Sequence, residues 1–379
     1  MQIVILGYIV RSPYGAICWH HFQYVLGFIK LGHEVLFIED SDDYPGYYNY
    51  LSTQAAKSHG FTFTNTLFDR FGLKDKWSYH DALSGDWFGL SKQKVFDFCA
   101  KTDVVFNLSG INPVREWWVK IPCRVYLDTD CAFTQIKFLQ DKALLELAQS
   151  HTSHFSLGEN IGEPDCTVPS AGFYWKTTRQ PVVVDVWKPA SLTPYAKWTT
   201  IMHWDSYPAV EHNGRSYGMK SQAFAEYLSL PEQMPDERFE LGVKCNDETA
   251  ENLKGYGWEI VQPLIPTKTP WTFQEYIANS KGEFSVAKHG FVVSKCGYLS
   301  ERSLNYMASG KPVIIQDTGF SKVYPTGKGL MGFSTLEEAK EAIDTVNTDY
   351  AKHCKAAREI VEEYADSSLV LTNFLNNAQ

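Results

Sequence analysis

Short runs of apolar, often β-branched residues recur along the chain, each closing on polar residues and each followed by a stretch of helical spacing. This alternation constrains the fold more than any other feature. The first run, 3–6, leads into helical spacing over 19–31, a turn at Gly32-His33-Glu34, and a second strand at 35–38 that ends in Glu39-Asp40. Further strands fall at 104–108 and 124–128, the latter closing on Asp128. Strands that are apolar on both faces belong in a parallel sheet covered by helices on each side. The carboxyl ends of such strands line the crevice where ligands bind. Residues 42–90 break the rhythm, being aromatic, Gly-rich and weakly periodic, and predict an insertion of helices and loops near the mouth of the first unit.

A strand at 182–186 precedes a linker over 187–194, where Pro189 and Pro194 resist helix and strand alike. The pattern then restarts, with strands at 199–202, 239–243, 258–261, 284–286 and 313–315. The 379 residues suit two domains, since ~100–200 residues per domain is usual. The fold class is therefore α/β, with two doubly wound, Rossmann-like halves, 1–190 and 191–367, facing a central cleft.

A formal charge of −9 argues against a broad basic surface for nucleic acid, though not against a local basic cleft. Aromatic residues make up 15% of the chain, which favours clefts that hold flat, partly polar ligands. The eight cysteines form no CxxC pair and read as reduced and mostly buried. No basic leader precedes the first strand, and no apolar run reaches the ~18 residues of a membrane span. The expectation is a soluble, cytoplasmic protein without a metal site.

The most legible element is a helix at 301–309. Ser300 can cap it, Leu304, Met307 and Ala308 face the core, Gly310 ends it, and Pro312 forbids its continuation. Its first turn, Glu301-Arg302-Ser303, offers free backbone N–H groups, which together with the helix dipole make an anion site.

Around that helix stand Gly282-Glu283-Phe284-Ser285-Val286-Ala287-Lys288-His289-Gly290, then Met307-Ala308-Ser309-Gly310-Lys311-Pro312-Val313-Ile314 and Gln316-Asp317-Thr318-Gly319-Phe320. Near the start are Gly7-Tyr8, Tyr14-Gly15, Trp19-His20-His21 and Leu31-Gly32-His33-Glu34-Val35. This set resembles the GT-B glycosyltransferases. The resemblance implies a nucleoside-diphosphate sugar, most simply a UDP-sugar, bound by the C-terminal half. It also implies an acceptor hydroxyl on a small molecule, glycan or modified nucleobase held by the N-terminal half. It implies no divalent metal and no other cofactor, and a terminal helix, 368–379, crossing back to the first half.

Donor candidates are Ser300, Arg302, Ser303, Lys288 and Lys295 for the diphosphate, Glu301 for the ribose, Asp317, Thr318 and Gly319 for the sugar, and Trp204 for the base. Arg suits bidentate phosphate contact. His20 or His21 could deprotonate the acceptor, because imidazole titrates near neutrality. Asp130 could do so instead, and Asp128 could orient the histidine. Tyr14, Gly15, Asp128, Glu159 and Asn160 are acceptor candidates. Each residue also has a plainer reading: surface helix charges at 301–302, packed histidines at 20–21, a backbone-satisfying turn at 317–319. Asn305 stands where retaining relatives carry a second glutamate, so the stereochemical course stays open. Two rival functions share the frame, a nucleotide-sugar epimerase and a binding protein without chemistry.

Overall fold

The computed structural model describes residues 1–41, 53–191 and 196–378, and every count here is of those residues. Eight strands form the first sheet: β1 (Gln2–Leu6), β2 (Glu34–Ser41), β3 (Trp77–Asp81), β4 (Trp87–Gly89), β5 (Val104–Leu108), β6 (Cys123–Asp128), β7 (Ser153–Ser156) and β8 (Trp175–Thr177). Their order is β4-β3-β2-β1-β5-β6-β7-β8, parallel throughout except where β4 runs antiparallel to β3. After it come β9 (Trp198–His203), the antiparallel hairpin β10 (Val210–His212) and β11 (Arg215–Tyr217), then β12 (Phe239–Lys244), β13 (Glu259–Val261), β14 (Gly282–Ser285), β15 (Val313–Gln316) and β16 (Leu330–Phe333). The second sheet is parallel, in the order β13-β12-β9-β14-β15-β16. In both sheets the first strand lies centrally and the chain winds outward to either side. The crevice at such a reversal is where doubly wound folds take ligands.

Residues 3–6 of β1 are wholly buried, as continuous apolar strands between helices must be. The helix Gly15–Lys30 begins four residues before the predicted start. Its apolar side carries Trp19, Phe22 and Val25, but the opposite side is covered too. Gly27 abuts Leu371 of the terminal helix Ser367–Ala378, and Trp19 Nε1 donates to the Pro270 carbonyl at 3.1 Å. That terminal helix also lays Phe374 against Phe106 and Phe155, both at 4.7 Å between ring centres.

Three expectations need correction. Residues 182–186 are not a strand: Val184–Val186 is a turn of 3-10 helix, and Val182 makes only an isolated bridge to Asp366. Four valines in five residues favour a strand, but tertiary contacts override that propensity. Val183 N and Trp187 Nε1 both donate to Gln23 Oε1 at 3.0 Å. Residues 42–90 contain the helix Thr53–Arg70 but also β3 and β4, which extend the sheet; the alternation of Trp77 and Tyr79 with Ser78 and His80 carries that signal. Part of that insertion, 42–52, and part of the linker, 192–195, lie outside the described residues. The hairpin β10–β11 went unpredicted, although Asn213-Gly214, at φ 49° and 70°, is a two-residue turn in the left-handed pair that hairpins favour.

Candidate active site

The carboxyl ends of β9 and β14 and the start of the helix Glu301–Ala308 meet the ends of β5 and β6 across a cleft. Two adjoining cavities of about 170 and 190 Å³ open there and share Lys220, Lys288, Glu301 and Arg302. Ser300 caps the helix, its Oγ accepting from Arg302 N at 3.3 Å. The loop before it turns through Lys295 and Gly297, at φ 51° and 77°.

Arg302 is drawn inward. Nε donates to the buried Glu283 carboxylate, Nη1 to the Ile201 carbonyl at 2.7 Å, and Nη2 to Ser285 Oγ at 2.9 Å. Three of its five N–H groups thus serve the ends of β9 and β14, which removes the geometry for a two-pronged grip on phosphate. Glu301 receives the Tyr298 hydroxyl at 3.1 Å. Burial alone would raise its pKa, yet the charges of His20 and Arg302 hold it below the ordinary carboxylate value. Lys220 follows the hairpin and faces both cavities. Burial, reinforced by Arg302 and Lys288, depresses its pKa well below the usual lysine value despite Glu283 and Glu301.

Comparison with solved structures finds this architecture repeated over whole chains. An α-glucosyltransferase in complex with UDP and a 13-mer DNA containing an HMU base superposes with a TM-score of 0.61 at 13% identity, covering 100% of this chain and 99% of that one. Sucrose-phosphate synthase from Thermosynechococcus elongatus gives 0.58 at 12%, with the same coverage. Anabaena HepE in complex with UDP and glucose gives 0.55 at 11%, again over 100% and 99%. The fold is GT-B. No protein-family model and no curated protein sequence matches the chain.

Within the GT-B cleft the predicted residues part company. Lys288, Ser300, Glu301, Arg302 and Thr318 line the first cavity with Asp130, and Tyr14 and Trp204 line the second. Lys288 Nζ reaches across the cleft to Asp130 Oδ1 at 2.6 Å and to the Tyr207 hydroxyl at 3.0 Å, and that hydroxyl also donates to Asp130. Thr318 Oγ1 donates to the Tyr298 carbonyl at 2.7 Å, and Ser303 is wholly buried in the helix's first turn. Trp204 packs on Phe224 at 5.2 Å.

Others lie elsewhere. The Lys295 side chain is 60% exposed, with its Nζ 3.9 Å from Asp165, outside both cavities. Asp317 accepts from Gly319 N at 2.8 Å and from the Ser321 hydroxyl, closing a local turn. Asp128 is buried and satisfied by Ser156 Oγ, Gln135 Nε2 and Asp130 N, so it orders the loop after β6. Glu159 pairs with Arg179 at 2.7 Å in a separate cavity under the terminal helix. Asn160 Nδ2 donates to the carbonyls of Lys295 and Gly319 at 3.1 and 2.9 Å, stitching the two sides together. Gly15 allows close packing: a Cβ there would sit 2.4 Å from the Thr269 carbonyl oxygen.

Neither histidine lines either cavity. His21 is wholly buried beneath Tyr8, its Nδ1 2.9 Å from the Ile17 carbonyl. His20 is 6% exposed, and its Nδ1 has no hydrogen-bond partner. Burial holds both imidazoles below their ordinary pKa, His20 in spite of Glu301. Lys220, Tyr207 and Tyr298 were missed; the Asn-Gly turn six residues before Lys220 was the available signal.

Proposed function

We propose that the protein is a glycosyltransferase that moves a sugar from a nucleoside-diphosphate sugar, a UDP-sugar in the simplest case, to an acceptor hydroxyl without a divalent metal. The observation that carries this reading is the convergence of Lys220, Lys288 and Arg302 with the first turn of the helix Glu301–Ala308 on the two shared cavities. Charge grows on the diphosphate as its bond to the sugar breaks, and fixed donors in a desolvated site stabilise that charge strongly. Lys220 meets the phosphates directly, and Arg302 keeps the walls beneath them in register. The nucleoside occupies the cavity between Tyr14 and Trp204.

In the transfer, the bond from the anomeric carbon to the phosphate oxygen breaks and a bond to the acceptor oxygen forms. UDP leaves. Asp130 takes the acceptor's proton once Lys288 turns from it toward the diphosphate. His20, beside Glu301, steadies that carboxylate on the ribose. Residues 1–190 hold the acceptor, 191–367 the donor, and 368–379 brace the first part.

The test is titration calorimetry with UDP, followed by UDP release from UDP-glucose and related donors in the presence of acceptors and EDTA. UDP binding and acceptor-dependent, chelator-insensitive release are expected. EDTA-sensitive turnover would overturn metal independence. Sugar interconversion by the donor alone would establish an epimerase, and donor binding without turnover a binding protein.

A further inference from the structure

The helix Glu301–Ala308, whose start faces the donor cavities, is anchored at its far end to the linker. Arg358, on the helix Tyr350–Tyr364, directs one nitrogen at two carbonyls. Its Nη1 donates to Trp187 O at 2.6 Å and also to Ala308 O in the last turn of the helix Glu301–Ala308. Ala190 N donates to the Ser309 carbonyl at 3.1 Å, and Lys311 Nζ to the Ser191 carbonyl at 3.1 Å. The helix end and the turn after it are therefore joined to the linker through Trp187, Ala190 and Ser191.

The first half reaches the same junction through Gln23, wholly buried on the helix Gly15–Lys30. Its Oε1 accepts from Val183 N and Trp187 Nε1, and its Nε2 donates to Asn305 Oδ1 at 3.2 Å. Asn305 stands one helical turn after Glu301, is wholly buried, and lines neither donor cavity. The bonds close a ring. It runs from Gln23 to Trp187, to Arg358, to Ala308, back along the helix to Asn305, and so to Gln23. An amide accepts at one end and donates at the other, which lets this one side chain hold the linker and the helix together. Buried polar groups are costly to leave unpaired, so such a ring keeps its geometry. An eight-residue helix is a rod of about 12 Å, short enough that a displacement at its start carries to its end.

We infer that Gln23 and Asn305 are positioning residues for the donor site. They set the helix Glu301–Ala308 against the linker, so that diphosphate bound at the helix start is felt at Trp187, and the set of the linker is felt by the diphosphate. Coupling of this kind acts equally in both directions. The inference rests on the donor reading above.

The test titrates UDP into isotope-labelled protein and follows the indole N–H resonance of Trp187, identified by its loss in Trp187→Phe, with calorimetry alongside. UDP should shift that resonance, although Trp187 lines neither donor cavity. Asn305→Leu keeps the side chain's bulk and removes the acceptor for Gln23 Nε2. It should weaken UDP binding about tenfold, a usual strength of coupling between sites, and abolish the Trp187 shift at saturating UDP. Gln23→Glu is the conservative variant. Its carboxylate still accepts from Val183 N and Trp187 Nε1, and Asn305 Nδ2, which has no partner among the described residues, can turn to donate to it. Affinity and shift should then match those of the unaltered protein. A contact that only held the fold together would lower the melting temperature in Asn305→Leu and leave both readouts unchanged. That result, a Gln23→Glu protein that behaves like Asn305→Leu, or a Trp187 resonance that stays still while UDP binds the unaltered protein would overturn the assignment and leave the donor reading standing. The last of these needs no substitution at Gln23 or Asn305, so it decides the matter even where a variant fails to fold. Failure of UDP to bind the unaltered protein would instead bring down the donor reading, and this one with it.

Discussion

The two walls of the cleft use the same device, a parallel sheet with its carboxyl ends exposed, and fill it with different chemistry. On the wall built by β9, β14 and the helix Glu301–Ala308, cations are set in place by buried acids, as Arg302 is by Glu283. On the wall built by β1, β5 and β6, the buried acids Glu39 and Asp128 bind backbone and amide groups, and Thr129, bonded to Ser109, lines the cavity. In the first case a buried charge holds another charge; in the second it holds a loop. The first arrangement suits a ligand that brings its own negative charge.

That contrast can be broken most forcefully at the acids. Glu283→Gln should cost about 3–5 kcal/mol in urea denaturation, since it strands a buried guanidinium. Asp128→Asn, whose partners can also bond an amide, should cost only ~1–3 kcal/mol. Equal losses would erase the distinction. Next in size, Lys220→Gln should weaken UDP binding roughly 30- to 100-fold by calorimetry, the ~2–3 kcal/mol of a charge-assisted hydrogen bond. Wild-type UDP affinity should also fall as pH rises. Lys220 is depressed in the free protein and a diphosphate raises it, so affinity is full below the free value and is lost as pH climbs from there toward the ordinary 10.5. A flat profile, or one that Lys220→Gln leaves unchanged, would remove Lys220 from the diphosphate. Smallest of all, Lys295→Ala should change UDP affinity less than twofold, because its ammonium stands in solvent beside Asp165.

What could be read from the sequence was local. The helix after Ser300 announced itself through its cap, its Gly310 stop and Pro312, and the strands through continuous apolar runs. The charge network could not be read, because Glu283 and Arg302 are joined only when β14 and the helix pack side by side. The histidines mislead for a related reason: a helical wheel sets His20 opposite the apolar face, but the Gln180 side chain closes over it, its Nε2 donating to the His20 carbonyl at 2.9 Å. Asn160 looked like a ligand-facing loop residue, and its amide turns out to bond two carbonyls from the far side of the chain. Each miss concerns a contact between residues 19 or more apart, where periodicity carries no information.

The Lys288–Asp130 pair has a consequence for turnover. Under the proposed chemistry the incoming pyrophosphate takes Asp130's place beside Lys288, which leaves that carboxylate free to accept the acceptor's proton. Once Asp130 passes that proton to solvent and the spent nucleotide departs, the lysine and the carboxylate pair again and the cleft is ready for the next cycle.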